Sequence, residues 1–238
     1  MAKANTSWTV HPHEPLARLA DNLWCVRGSL PGMPLKRNMV IVKLADGSLA
    51  LHNPIAVDDA TIAAIEGWGP VRYLLIPNGL HRLDARVFKE RYPQADVLCP
   101  RGSRKKVEEV VAVDGAYEDL PADPGLEARR LDGVGEQEGA LIVHSSGGEA
   151  TVVVTDAIFN MPHVGGLLGL ILRYVTASTG GPRVSRVAKM ALVKDKAALR
   201  ADFERLAETP GLRRLIVAHN DMVEGDAAGA LRAAAATL

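Results

Sequence analysis

The 238-residue chain is poor in cysteine, with only Cys25 and Cys99. Both lie in or beside apolar, strand-like runs, so buried free thiols are expected and a disulfide framework is not. It also lacks an excess of either charge, because 28 Lys+Arg are matched by 28 Asp+Glu. That balance gives no global sign of a nucleic-acid surface or a polybasic membrane patch, and neither partner is expected. Long apolar runs are missing. The longest, from Val164 to Val175, is interrupted by three glycines and Arg173 and is too short to span a bilayer. The opening residues contain no apolar stretch of the kind a secretory signal needs, so the cytoplasm is the expected compartment. Internal repeats and linkers of domain-boundary length are absent as well. The expected organisation is a loose N-terminal arm over 1–15, carrying His11 and His13, followed by one domain over 16–238. An apolar insertion at about 161–182 belongs to that domain.

What is present fits a substantial core: 47% of residues are hydrophobic and mean hydropathy is near zero. Val40-Ile41-Val42 and Leu49-Ala50-Leu51, joined by Asp46-Gly47, predict a hairpin. Asp58 or Asp59 is placed to cap a helix with Ile62, Ile65 and Trp68 on one face, stopped by Gly69-Pro70. A strand over 71–76, a helix over 82–92 and a strand over 95–100 form a βαβ-type unit, which argues for a sheet covered by helices. Further strands are expected at 126–131, 140–144 and 150–155. An amphipathic helix over 195–208 presents Leu199, Phe203 and Leu206, and an alanine-rich helix over 226–238 ends the chain. The irregular segment from Met161 to Pro182 reads as a mobile flap, a partner surface or a buried helix hairpin.

Three apolar runs lead into polar residues. Val152-Val153-Val154 leads to Asp156, Leu215-Ile216-Val217 to His219, and Leu74-Leu75-Ile76 to Asn78, His81 and Asp84. Strand ends on one edge of an α/β sheet are where such folds gather their chemistry. Two imidazoles and a carboxylate suit zinc, iron or manganese, and the same trio suits a single non-haem iron. His144, inside a strand, reads as structural, whereas His163 reaches a site only if its irregular segment folds over it.

In this order the elements resemble the metallo-β-lactamase superfamily. The features that carry the likeness are Leu23-Trp24-Cys25-Val26-Arg27-Gly28, the Asp46-Gly47 hairpin led by Asn38, the strand–turn–helix carrying His81, Thr155-Asp156, and the strand before His219. More narrowly, the chain is similar to a divergent branch, a domain of unknown function, in which a His follows an Asn by three residues and a His-x-x-Ser hairpin precedes the aspartate strand. Here the likeness is carried by Asn78 with His81 and by the hairpin at His144-Ser145-Ser146. The superfamily implies an α/β protein of α+β type, a four-layer αββα sandwich with metal at one edge, and mostly hydrolytic activity. Its His-x-His-x-Asp-His motif is eroded here to Asn78-Gly79-Leu80-His81-Arg82-Leu83-Asp84, which admits two registers. In one, His81 and Asp84 take ligand positions; in the other, Asn78 takes the first. The middle histidine is missing, and Glu136 or Glu138 stands near its place. Asp156 matches the bridging carboxylate and His219 the last histidine, followed by Asn220 where glycine is usual.

The resemblance therefore implies one zinc or iron ion at most, held by His81, Asp156, His219 and Glu138. Asn78, Glu136, His144 and His163 are further candidates, and Asp84 and Asp156 are the catalytic ones. The expected function is a metal-dependent hydrolase that activates water against an ester, amide or phosphoester of an unknown small molecule. The alternatives are a metal-free binding or assembly module and a mononuclear-iron redox protein. Arg183 and Arg186 are candidates for an anionic substrate, and 161–182 is a candidate homodimer surface.

Overall fold

The computed structural model describes residues 4–33, 35–163 and 165–238, without the side chain of Leu168. The first three residues of the expected arm, Pro34 of the loop at 30–34, and Val164 at the start of the apolar run lie outside the described residues.

The first half of the chain builds one sheet in sequence order. Strands β1 (Ala17–Ala20), β2 (Leu23–Ser29), β3 (Lys36–Lys43) and β4 (Leu49–His52) run antiparallel. The Asp46-Gly47 turn between β3 and β4 is tightened by the Asp46 carboxylate, which accepts from the Ser48 amide and hydroxyl. Helix α1 (Asp59–Trp68) then carries the chain over to β5 (Val71–Leu75), parallel to β4. Asp58 caps α1 by accepting from the Thr61 amide. Helix α2 (Ala85–Arg91) leads to β6 (Asp96–Cys99), and the short helix α3 (Arg104–Val107) to β7 (Gly115–Ala116), both strands again parallel.

The second half builds a five-stranded sheet. Strands β8 (Leu126–Arg130), β9 (Gly139–His144) and β10 (Ala150–Val153) form an antiparallel meander. Between β10 and the rest of that sheet come a small hairpin of β11 (Phe159–Met161) and β12 (Gly181–Arg183), with helix α4 (Gly166–Leu170) and the π-helical stretch Ile171–Val175 at its tip. Helices α5 (Arg186–Ala191) and α6 (Lys196–Ala207) return the chain to β13 (Leu212–Ile216), parallel to β10. Strand β14 (Val223–Glu224) and helix α7 (Ala227–Ala236) complete the fold.

Alternation along the strands explains why the sheets stack in four layers. Val40 and Val42 on β3, Tyr73 and Leu75 on β5, Leu141 and Val143 on β9, and Ile216 on β13 meet between the two sheets. Their neighbours Met39, Ile41 and Leu74 turn the other way, against Ile62 and Ile65 of α1 and Phe88 of α2. On the far side, Ile142, Val152 and Leu215 pack on Leu199, Phe203 and Leu206 of α6 and on Leu231 of α7. Strands buried on both faces need apolar residues on both, which is why they read as continuous runs. The result is the expected αββα sandwich, and both cysteines are buried and free.

Two expectations change. The arm at residues 4–15 is not loose. Trp8 packs on Phe88 at 4.8 Å and donates from Nε1 to the Val57 carbonyl at 2.9 Å, while the Glu14 amide donates to the Arg27 carbonyl and the Ser29 amide to the Pro12 carbonyl across the edge of β2. Asn5 donates to Asp84 Oδ1 at 2.6 Å, and Arg37 Nη2 meets Asp84 Oδ2 at 2.9 Å. Arg37 and Asp84 are both buried, so Asp84 is spoken for by an ion pair under the arm. The 161–182 segment is not a buried helix hairpin either. Leu167 and Tyr174 are 76% and 60% exposed because the tip projects past the hairpin that carries it.

Two tests follow from this packing. Asp84→Ala leaves a buried guanidinium without its partner, and a loss of about 3–5 kcal/mol of stability is expected in chemical denaturation; a variant as stable as wild type would return Asp84 to the list of catalytic candidates. His52, at the end of β4, is fully buried with Nδ1 unpartnered, and burial, seconded by His81, pulls its pKa from 6.5 to about 3. Below pH 6.5 the unfolded chain gains a proton that the folded chain refuses, so stability falls as the pH drops from 6.5 toward 3. Between pH 7 and pH 5 the linkage is worth on the order of 2 kcal/mol. In urea titrations at both pH values, wild type should lose about that much more stability than His52→Phe between pH 7 and pH 5.

Candidate metal centre

The C-terminal ends of the parallel strands open on one edge of the sandwich. Beyond β5 the chain turns at Asn78, whose Oδ1 accepts from the Leu80 and His81 amides at 2.8 and 3.0 Å, an Asx turn that projects the His81 ring. Beneath that turn, Ser103 Oγ accepts from the Gly79 amide at 3.1 Å and donates to the Gln137 carbonyl at 2.6 Å. Beyond β10, the amides of Thr155, Asp156 and Ala157 leave the ladder and donate to the Glu138 carboxylate at 2.7, 3.0 and 3.1 Å. The strand therefore ends at Val153, and Asp156 is held on a loop. Beyond β13, the loop at 217–220 is fastened to β3: Asn38 Nδ2 donates to the Val217 and Asn220 carbonyls at 2.7 and 3.0 Å. The Asn38 amide bonds the Ala218 carbonyl, and Lys36 and Asn220 pair across the same seam. Asn220, in the usual glycine position, takes the left-handed conformation with φ 62°.

These loops bring His81, Asp156 and His219 together, each offering one ligand atom within 4.8 Å of the others. His81 Nε2 stands 3.1 Å and His219 Nε2 3.4 Å from the same oxygen, Asp156 Oδ1. The other ring nitrogens fix the tautomers. Asn53 donates from Nδ2 to the Asn38 carbonyl, so its Oδ1 faces His81 Nδ1 at 3.0 Å and accepts that proton. His219 Nδ1 donates to the Lys36 carbonyl at 3.1 Å. In the neutral rings both Nε2 atoms are then lone pairs aimed at a carboxylate oxygen, an arrangement that a cation satisfies. Asn78 Nδ2 donates to Asp156 Oδ2 at 2.9 Å, so it orients the carboxylate from behind. Phe159 stacks on His219 at 5.7 Å between ring centres.

Electrostatics follow from burial. Burial lowers the pKa of His81 more than the Asp156 charge beside it raises it. Burial works against ionising Asp156, but when the two imidazoles carry an extra proton their charge and hydrogen bonds overcome it and hold its pKa well below the usual carboxylate range. Burial first, then the Asp156 charge, raises Glu138, against the pull of its three amide bonds.

The remaining candidates sit elsewhere. Glu138 is fully buried with both oxygens committed to backbone amides, so it shapes the Asp156 loop and does not join the three converging atoms. Asp84 is tied to Arg37 and Asn5. Glu136 is exposed with φ 59° and pairs with Arg130 at 3.5 Å. His144 is exposed at the end of β9, and His163 bonds Thr179 Oγ1 at 2.9 Å within the inserted segment. Arg186 donates to the Tyr174 and Val175 carbonyls and Arg183 to that of Gly180, so both serve the insertion. A surface hollow of about 550 Å³ lined by His13, Arg18 and Asp58 contains none of the three converging residues. Sequence reasoning missed Asn53, Asn38 and the Lys36 carbonyl. For Asn53 a signal existed, an Asn-Pro step at a strand end, where φ is 55°.

No protein-family model matches the chain, and a search of curated proteins also gives no match. Among solved structures it is similar to DIM-1 metallo-β-lactamase exposed to ceftazidime, with a TM-score of 0.65 and 11% identity over 96% of this chain and 99% of that one. FIM-1 metallo-β-lactamase from Pseudomonas aeruginosa, in its mono-zinc form, aligns with a TM-score of 0.60 and 13% identity over 97% and 98%. A metallo-β-lactamase from Pontibacter korlensis aligns with a TM-score of 0.59 and 9% identity over 95% and 100%. Over nearly its whole length, the chain has the metallo-β-lactamase fold.

Proposed function

We propose that the protein is a metal-dependent hydrolase with one ion, zinc or iron, held by His81 Nε2, Asp156 and His219 Nε2. The observation that carries this reading is the pair of imidazoles that spend their Nδ1 protons on Asn53 and Lys36 and turn unprotonated nitrogens to one carboxylate oxygen. Such outer partners fix ligand tautomers in metal sites generally. When bound, the ion supplies Lewis acidity, lowering the pKa of a coordinated water and polarising an ester, amide or phosphoester oxygen. The protein's own residues hold the geometry. Asn78 keeps Asp156 from rotating, Glu138 anchors its loop, and Phe159 covers one face of His219. Of the two carboxylates suggested as catalytic, Asp156 alone reaches the centre. A likeness to a mono-zinc structure is in keeping with a single ion. Two histidines and a carboxylate also suit non-haem iron, so the redox reading shares this site.

The test is metal content after expression in zinc-, iron- or manganese-supplemented medium. About one equivalent is expected for wild type and close to none for folded Asp156→Ala and His219→Ala. Wild type free of metal, with a melting temperature indifferent to all three ions, would defeat the reading and favour the metal-free module. Asn53→Ala frees the His81 ring, and a loss of about 10–100-fold in metal affinity is expected by competition with a chelating dye.

A further inference from the structure

The inserted segment has a composition unlike the rest of the chain. From Ala157 to Lys194 there is no Asp or Glu, yet Arg173, Arg183, Arg186, Lys189 and Lys194 all fall there. Among the described residues none of these five is in an ion pair. The same segment holds most of the exposed large apolar side chains. Leu167, Leu170, Ile171 and Tyr174 recur at the spacing of one helix face, and they are 76%, 55%, 41% and 60% exposed. Val187 and Met190, one turn apart on α5, are 56% and 86% exposed. The stripes are joined where Arg186 clasps the Tyr174 and Val175 carbonyls and its amide bonds the Thr176 carbonyl. In a globular fold such a helix turns its apolar stripe inward; here the stripe faces out.

An exposed apolar stripe of this kind marks an interaction surface, and its charge selects the partner. A second copy, the occupant suggested by the sequence, would bring five more positive charges to the same interface without one carboxylate to answer them. An anionic lipid surface answers both features at once, taking apolar side chains into the headgroup boundary and attracting Lys and Arg. Tyr174, with the Arg173 guanidinium over its ring at 5.2 Å, has the amphipathic character of an interfacial anchor. We propose that residues 166–194 dock the protein on the face of an anionic bilayer. No helix among the described residues is long and apolar enough to cross one, so the association is peripheral.

The experiment is co-sedimentation of the full chain with vesicles of phosphatidylcholine containing about 30% phosphatidylglycerol, against phosphatidylcholine alone, at about 0.1 M and about 0.5 M salt. Binding is expected to the anionic vesicles, to weaken with salt, and to be the same with and without added zinc. Leu170→Ser/Tyr174→Ser and Arg173→Glu/Lys194→Glu alter exposed side chains only, and each pair should lower the partition coefficient by about tenfold or more while melting as wild type does. Equal binding to both vesicle types, no binding to either, or unchanged binding by the serine pair would overturn the proposal. So would a dimer that ignores vesicles and falls apart in the serine pair. None of these readings depends on turnover or metal, so failure here leaves the hydrolase reading standing.

Discussion

A half-buried carboxylate oxygen faces two imidazole nitrogens that have no proton to offer it. Asp156 Oδ1 lies 3.1 Å from His81 Nε2 and 3.4 Å from His219 Nε2, and both rings have committed their Nδ1 protons elsewhere. Three acceptors in such proximity repel one another unless something positive sits among them. Burial opposes protonating His81, and a cation placed among the three atoms would satisfy all of them at once. Much of the surrounding structure serves to keep these atoms from relaxing apart.

That restraint runs across the seam between the sheets. The first sheet supplies His81 and the second supplies Asp156 and His219, so the site exists only if the sheets keep their relative position at this edge. Asn38 does the fastening, with Nδ2 on two carbonyls of the 217–220 loop, its amide on a third, and its own carbonyl taking Asn53. The chain continues from Asn38 into Val40 and Val42, which fill the space between the sheets. One strand thus sets both the inter-sheet core and the tautomers of two histidines, the second through the Lys36 carbonyl.

The layers were legible because their cause is local: apolar runs, an Asp-Gly turn, a cap at Asp58 and a helical face at Leu199, Phe203 and Leu206 each act over a few residues. His81, Asp156 and His219 were legible as residue types at strand ends. Which carboxylate does what was not. Asp84, Glu138 and Asp156 are alike on paper, and only the three-dimensional partners separate them, an arginine and an asparagine for the first, three backbone amides for the second and two imidazoles for the third. The roles of Asn53 and Asn38 at the site were not legible because their work is done on residues distant in sequence. The arm over 4–15 read as solvated because its proline-rich composition conceals one anchor, Trp8 on Phe88.

Net charge conceals its own distribution. A total of zero says nothing about where the charges lie, and with the five basic residues of 157–194 set aside, 23 Lys+Arg face 28 Asp+Glu in the remainder. The molecule is therefore divided into a basic, apolar insertion and an acidic body. A body of net negative charge is repelled by the anionic surface that attracts the insertion, and the two forces together orient the molecule with the insertion leading. The root of that insertion is also a wall of the candidate metal site, since Phe159 stacks on His219 and Asn160 Nδ2 donates to the Asp221 carbonyl at 2.9 Å. Whatever holds the insertion at a surface holds the rim of the candidate metal site with it, because no more than the short β11–β12 ladder separates the exposed stripe from the histidine.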